Sequence, residues 1–130
     1  MKKTIVLNGS NISSLDSFYD EVENKLTKDL GWKTGRNLDA FNDVLRGGFG
    51  VYEYEESIRL IWQNSNESKE KLGWDETIKY ISAKLKTCHP TNIQSVKDDL
   101  HLAQQHKGQT LFELIVDIIQ THPHIELELS

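Results

Sequence analysis

Gly35-Arg36-Asn37-Leu38-Asp39-Ala40-Phe41-Asn42-Asp43-Val44-Leu45 is the stretch on which the reading of this chain turns. Asn37 is a good helix N-cap, because its side-chain oxygen can accept a hydrogen bond from an orphan amide of the first turn. Leu38, Phe41 and Leu45 then recur on one face, which predicts a short amphipathic helix ending at Gly47-Gly48. Asp39 and Asp43 stand at i and i+4, so their carboxylates project from one face and repel each other. A protein tolerates that pair at its surface, and the pair makes sense if a cationic partner fills the gap. The same pattern is also what two solvated acids look like, with Asp39 near the N-terminus where the helix dipole favours it.

Upstream of this segment, Gly31-Trp32-Lys33-Thr34 reads as a loop. Before it, Ser13 or Ser14 offers an N-cap, and Leu15, Phe18, Tyr19, Val22 and Leu26 follow at helical spacing, with Gly31 marking the end. Thr4 to Leu7 is a short apolar run closed by Asn8-Gly9, which predicts a buried strand and a turn. Downstream, Gly47-Gly48-Phe49-Gly50 follows a helix and precedes a strand. That is the wrong context for a phosphate-binding loop, so it reads as a flexible connection. Ile58, Leu60 and Trp62 give a second strand.

The middle of the chain is helical. Asp75 can cap a helix carrying Ile78, Ile81 and Leu85, which Cys88-His89-Pro90 breaks. Thr91 opens another through Ile93, Val96, Leu100 and Ala103, ending near Gly108. Thr110 and Glu113 form a capping box for a strongly amphipathic helix over Leu111, Leu114, Ile115, Ile118 and Ile119, which Pro123 stops. Ile125, Leu127 and Leu129 alternate with Glu126 and Glu128 as a terminal strand with one wet face. Strands separated by helices imply an α/β fold with a parallel sheet and helical crossovers. The first strand, apolar on consecutive residues, is expected to be central and covered on both faces, with the other two at the edges.

The 130 residues fit one domain, and 37% hydrophobic with 27% charged residues marks a globular chain. A net charge of -5, from 20 acidic and 15 basic residues, argues against direct nucleic-acid binding, which needs a basic face. It suits a basic protein partner. The lone Cys88 allows no intrachain disulfide and suits a reducing compartment. The N-terminus is too poor in apolar residues for a signal peptide, and no stretch is long enough to span a bilayer. The expected location is the cytoplasm and the expected free state a monomer.

All five histidines lie late, at 89, 101, 106, 122 and 124. Neither Cys88-His89 nor His122-Pro123-His124 has the four-ligand spacing of a structural zinc site, so no metal or other cofactor is expected. Cys88 has no defined base to activate it, and no Ser-His-Asp set is evident.

The Asn37 to Asp43 segment, with its preceding glycine, resembles the signature of the barstar family, in which an Asn-Leu-Asp-Ala-(aromatic or Leu)-x-Asp run opens the second helix. The resemblance extends to the N-terminal strand and helix, to the Ile58–Trp62 strand, and to a closing helix that runs into a strand ending Leu129-Ser130. It covers roughly residues 3–72 and 110–130. It implies a three-stranded parallel sheet flanked by helices, no enzymatic activity, and inhibition of a ribonuclease or related nuclease toxin. Residues 73–109 are longer than the family's equivalent and read as a helical insertion in a single domain spanning 1–130.

By that resemblance Asp43 matches the family's central acidic contact, Asp39 the acid one turn earlier, and Asp117 a further acidic contact on the last long helix. Asn42, Arg46, Lys33 and Trp32 complete the expected partner-binding set, with Trp32 or Phe49 as an aromatic anchor. The chain also departs from the pattern. Trp32 and Lys33 lie in a loop where the best-known member has tyrosines, Arg36 and Thr121 replace acidic residues, and Gly48 replaces a tryptophan. The Asp pair survives while several peripheral contacts do not, which points to a different toxin. The alternative is a barstar-like interaction or regulatory module that binds a non-nuclease partner through the added helices.

Overall fold

Three short parallel strands, one apolar face and a run of helices between them set the architecture. The computed structural model describes residues 2–28, 30 and 35–130. Strand β1 (Lys3–Asn8) leads through a 3-10 turn to α1 (Leu15–Leu26) and α2 (Leu38–Leu45), then β2 (Ile58–Gln63). Helices α3 (Ser65–Lys71), α4 (Trp74–Thr87), α5 (Ile93–Gln104) and α6 (Leu111–Gln120) precede β3 (Ile125–Leu129). Both strand pairs are parallel, in register Ile5–Leu60–Leu127 and Leu7–Trp62–Leu129.

The strand order is β1-β2-β3, so β2 is central and β1 lies at an edge. This corrects the expectation drawn from the unbroken apolar run at Thr4–Leu7. That run is not covered on both faces either: Ile5 and Leu7 are buried, Thr4 is exposed and Val6 only half-buried. The reason is topological. A sheet that steps one way through right-handed crossovers lays its helices on one face. Ile58, Leu60 and Trp62 of β2 point into that face and are fully buried. On the other face Thr4, Arg59 and Glu126 meet solvent, and Arg59 pairs with Glu128.

The core beneath the helices centres on aromatic rings. Trp62 stacks on Phe18 at 5.9 Å and lies 5.0 Å from Phe112, while Phe18 meets Phe41 edge-on at 5.1 Å. Trp62 Nε1–H donates to Ser68 Oγ at 2.9 Å, and Ser68 Oγ–H donates onward to the Gly9 carbonyl at 3.1 Å. That chain fixes α3, a helix the sequence pattern did not predict because it is almost wholly polar. Gly9 is required where it stands, since a Cβ there would sit 2.4 Å from the Gln63 carbonyl oxygen.

One charge is buried beside β1. The Glu21 carboxylate of α1, only 2% exposed, accepts from the Asn8 N–H at 2.6 Å and from Lys25 Nζ at 3.2 Å. Removing it strands an amide and an ammonium. Glu21→Ala is expected to cost about 2 kcal/mol in urea unfolding; an unchanged midpoint would show that water replaces the carboxylate freely.

Candidate functional site

Helix α2 forms where the sequence predicted and for the predicted reason. Asn37 Oδ1 accepts from the Ala40 N–H at 2.7 Å, capping the first turn. Leu38, Phe41, Val44 and Leu45 are buried, which fixes the rotation of the helix about its axis. Asp39 and Asp43 are consequently exposed together, one turn apart. Among the described residues neither carboxylate makes an ion pair or a hydrogen bond. The bare acidic face expected from the sequence is therefore present.

The cations near it are already engaged or stand at the far end. Arg36, just before the helix, is held by Glu23 and Asp20 of α1, and those hydrogen bonds push its already high pKa further up. It is tied back to α1 and away from the acids of α2. Tyr80 of α4 lies near Asp39, at the start of the acidic face. Its phenol pKa is raised by burial first and then by the Asp39 carboxylate, so the fourth helix borders the pair. Glu76 of the same helix accepts from the Leu15 N–H at 2.9 Å, tying α4 to the start of α1.

The C-terminal end of α2 is fastened in part by Tyr52, which the sequence gave no reason to single out. The Tyr52 hydroxyl donates to the Leu45 carbonyl at 2.9 Å, and burial pushes its pKa well up. Gly47 takes a φ of 93°, and the Glu55 N–H donates to the Arg46 carbonyl at 2.6 Å. The loop after α2 is thus folded back onto its last turn. From the other side, His122 Nε2 donates to Asn42 Oδ1 at 2.8 Å and His124 Nε2 to the Leu45 carbonyl at 2.9 Å. These two bonds lock the end of α6 against α2. Since a backbone carbonyl and an amide oxygen only accept, both rings carry their proton on Nε2.

The other expected contacts fall in different surroundings. Asn42 is half-buried and spends its side-chain oxygen on His122, so it positions elements as much as it presents a surface. Arg46 is exposed at the C-cap of α2, where a cation suits the helix dipole. Asp117 is exposed on α6 but accepts a hydrogen bond from the Gln109 side chain, so it is less free than the α2 pair. Phe49 is half-buried against the core rather than free as an anchor. Trp32 and Lys33 lie outside the described residues. Tyr54, 63% exposed, is the large aromatic side chain the surface offers near α2, and no pattern in the sequence distinguished it.

Among the described residues no three His, Cys, Asp or Glu side chains are grouped to hold a metal. No helix of the described residues is long and apolar enough to cross a membrane. What the surface does present is a bare pair of carboxylates on a firmly anchored short helix. Such a face can accept paired hydrogen bonds from arginine or lysine on another molecule.

The chain thus combines a parallel three-stranded sheet, helices packed on one face of it and an exposed acidic pair on its second helix, an architecture of the small α/β class. The sequence model described as Barstar (barnase inhibitor) matches residues 2–88, more than half of the chain, and the protein belongs to the barstar family. The match takes in β1 through α4, so it runs past residue 72, where the first resembling stretch ended, but it does not take in the second stretch at residues 110–130. No curated protein matches the chain closely enough to count as a relative.

Proposed function

We propose that this protein is an intracellular inhibitor that blocks the cationic active site of a ribonuclease or related nuclease toxin and has no catalytic role of its own. The observation that carries the reading is the exposed Asp39–Asp43 pair, unpartnered among the described residues, on a helix capped by Asn37 and clamped at its C-terminal end by Tyr52 and His122. A nuclease cleft must hold phosphates with Arg, Lys and His. A carboxylate placed there imitates a phosphate oxygen. Membership of the barstar (barnase inhibitor) family supports the same direction. Asp43 is the central contact, with Asp39 beside it and Asp117 in support. Residues 1–130 act as one domain; of the helical addition at residues 73–109, residues 73–88 fall within the family match and residues 89–109, with α5, lie beyond it.

The test is inhibition of purified basic ribonucleases, with gel filtration of the mixture to isolate the complex. A net charge of -5 also predicts electrostatic steering. The association rate is expected to fall about tenfold or more between low ionic strength and roughly 0.5 M salt. A flat dependence in stopped-flow measurements would count against a charged contact face.

A second reading has its own observation. Helices α4, α5 and α6 enclose a groove of about 270 Å³ lined by Tyr80, Ile81, Val96 and Leu102, and Leu102 and Ile93 are exposed. A regulatory module could engage a non-nuclease protein there. Recovery from the host of a partner released by Leu102→Asp, but not by Asp43→Ala, would favour that version.

A further inference from the structure

Beside the acidic pair lies a cleft of opposite character. It measures about 620 Å³ and is walled by Arg46 and Asn42 of α2, Tyr54 and Glu55 of the following loop, and Thr121, His122, Pro123 and His124 after α6. The chain has three arginines. Arg36 and Arg59 are paired with carboxylates, whereas Arg46 is exposed and has no ion pair among the described residues. Its five N–H donors are available.

The two histidines add latent donors. Each spends Nε2 on an inward acceptor, which leaves Nδ1 as a lone pair in the neutral ring. Neither ring is exposed as a residue, yet among the described residues no buried side-chain polar atom lacks a partner. Each Nδ1 must therefore reach the surface. On protonation of His122 its Nδ1 becomes an N–H with access to solvent. The rings lie 5.7 Å apart and edge to face, so they feel each other's charge.

We infer that this cleft is a carboxylate-binding subsite that receives an acidic side chain of the nuclease while Asp39 and Asp43 engage its cations, an inference that rests on the inhibitor reading. Arg46 supplies a permanent charge and paired donors, and His122 supplies a further donor that a bound anion draws out, with His124 beside it in the wall. Glu55 stands in the wall and repels a dianion more than a single carboxylate, which favours the carboxylate over a phosphate. The cleft shares α2 with the acidic pair, so one partner surface can span both. The result is a charge-reversed lock that rejects any cationic protein lacking the matching acid.

In the free protein His122 has its pKa lowered, by burial first and then by His124 and Arg46. The other groups facing it are Asn42, Glu55, Tyr54 and Thr121; Asp117, a turn back on α6, is engaged by Gln109. A bound carboxylate reverses the balance and raises that pKa. The complex then holds more protons than the free protein between the two values, so affinity rises as pH falls through that window and levels off below it.

Two measurements decide it. The free protein is titrated with sodium acetate against sodium chloride at equal ionic strength, following the His122 and His124 ring signals by NMR. Acetate is expected to shift both rings and raise the pH at which His122 titrates, and Arg46→Ala to abolish the effect. Rings indifferent to acetate would overturn the subsite. Affinity for the inhibited ribonuclease is then measured with Arg46→Ala, expected to lose about tenfold or more, and Arg46→Lys, expected to recover part of it. Because Arg46 is exposed, its thermal midpoint should hold. Undiminished affinity in Arg46→Ala, with Asp43→Ala still impaired, would overturn the subsite and leave the inhibitor reading standing. Undiminished affinity in Asp43→Ala, or no ribonuclease complex at all, would overturn the inhibitor reading, and this use of the cleft with it.

Discussion

Asp43→Ala is expected to weaken the complex with the target ribonuclease about 100-fold while leaving the free protein as stable as before. A carboxylate that accepts paired hydrogen bonds from a cation inside a closed cleft contributes about 1.5 to 3 kcal/mol per bond, and its loss leaves that cation buried and unpaired. About 3 kcal/mol corresponds to about two powers of ten in affinity. Stability should not fall, because Asp43 has no internal partner among the described residues and its removal relieves repulsion from Asp39. Urea unfolding should register a gain of a few tenths of a kcal/mol or none. Isothermal titration with Asp43→Ala, Asp43→Asn and Asp39→Ala separates charge from shape. Asparagine keeps the outline of the side chain but loses the charge, and should lose nearly as much affinity as alanine. If all three bind like the parent protein, α2 is not the contact helix.

The placement of Asp39 and Asp43 was readable because it obeys local rules. Asn37 caps, Leu38, Phe41 and Leu45 define a face, and the helical period then fixes where Asp39 and Asp43 must point. The capping box at Thr110 and Glu113 and the final strand at Ile125–Leu129 formed as predicted, again from patterns a few residues long. Strand order was misread because a short apolar run says only that a strand is buried, not which neighbours bury it. That depends on the direction of the crossovers, which no local pattern encodes. Helix α3 escaped for a related reason: it is polar almost throughout and held by two buried serines, with Ser68 bonded to Trp62 and Ser65 to the terminal Ser130 carbonyl. The mixed cleft was invisible as well. Arg46, Tyr54, His122 and His124 come from three stretches that only the folded α2–α6 packing brings together.

Trp62→Ala is expected to destabilise the fold by about 4 kcal/mol, the largest loss anticipated for any single side chain. The indole is fully buried on the central strand, touches Phe18 and Phe112, and bonds Ser68. Truncation removes the ring from water-free packing, opens a cavity that neighbouring aromatics cannot fill, and strands the Ser68 hydroxyl. A chain of this size has about 5 to 15 kcal/mol of stability in all, so the variant should lie near its unfolding limit at physiological temperature. Urea titration should show a much lower midpoint with an unchanged slope. Trp62→Phe keeps most of the ring stacking and loses the N–H, and should cost about 1 to 2 kcal/mol through the unpaired serine. The consequence reaches the site, because Phe18 lies between Trp62 and Phe41, and Phe41 sets the rotation of α2. If the Phe variant instead weakens ribonuclease binding as much as Asp43→Ala does, the orientation of the acids depends on this aromatic chain more than on the clamps at Tyr52 and His122.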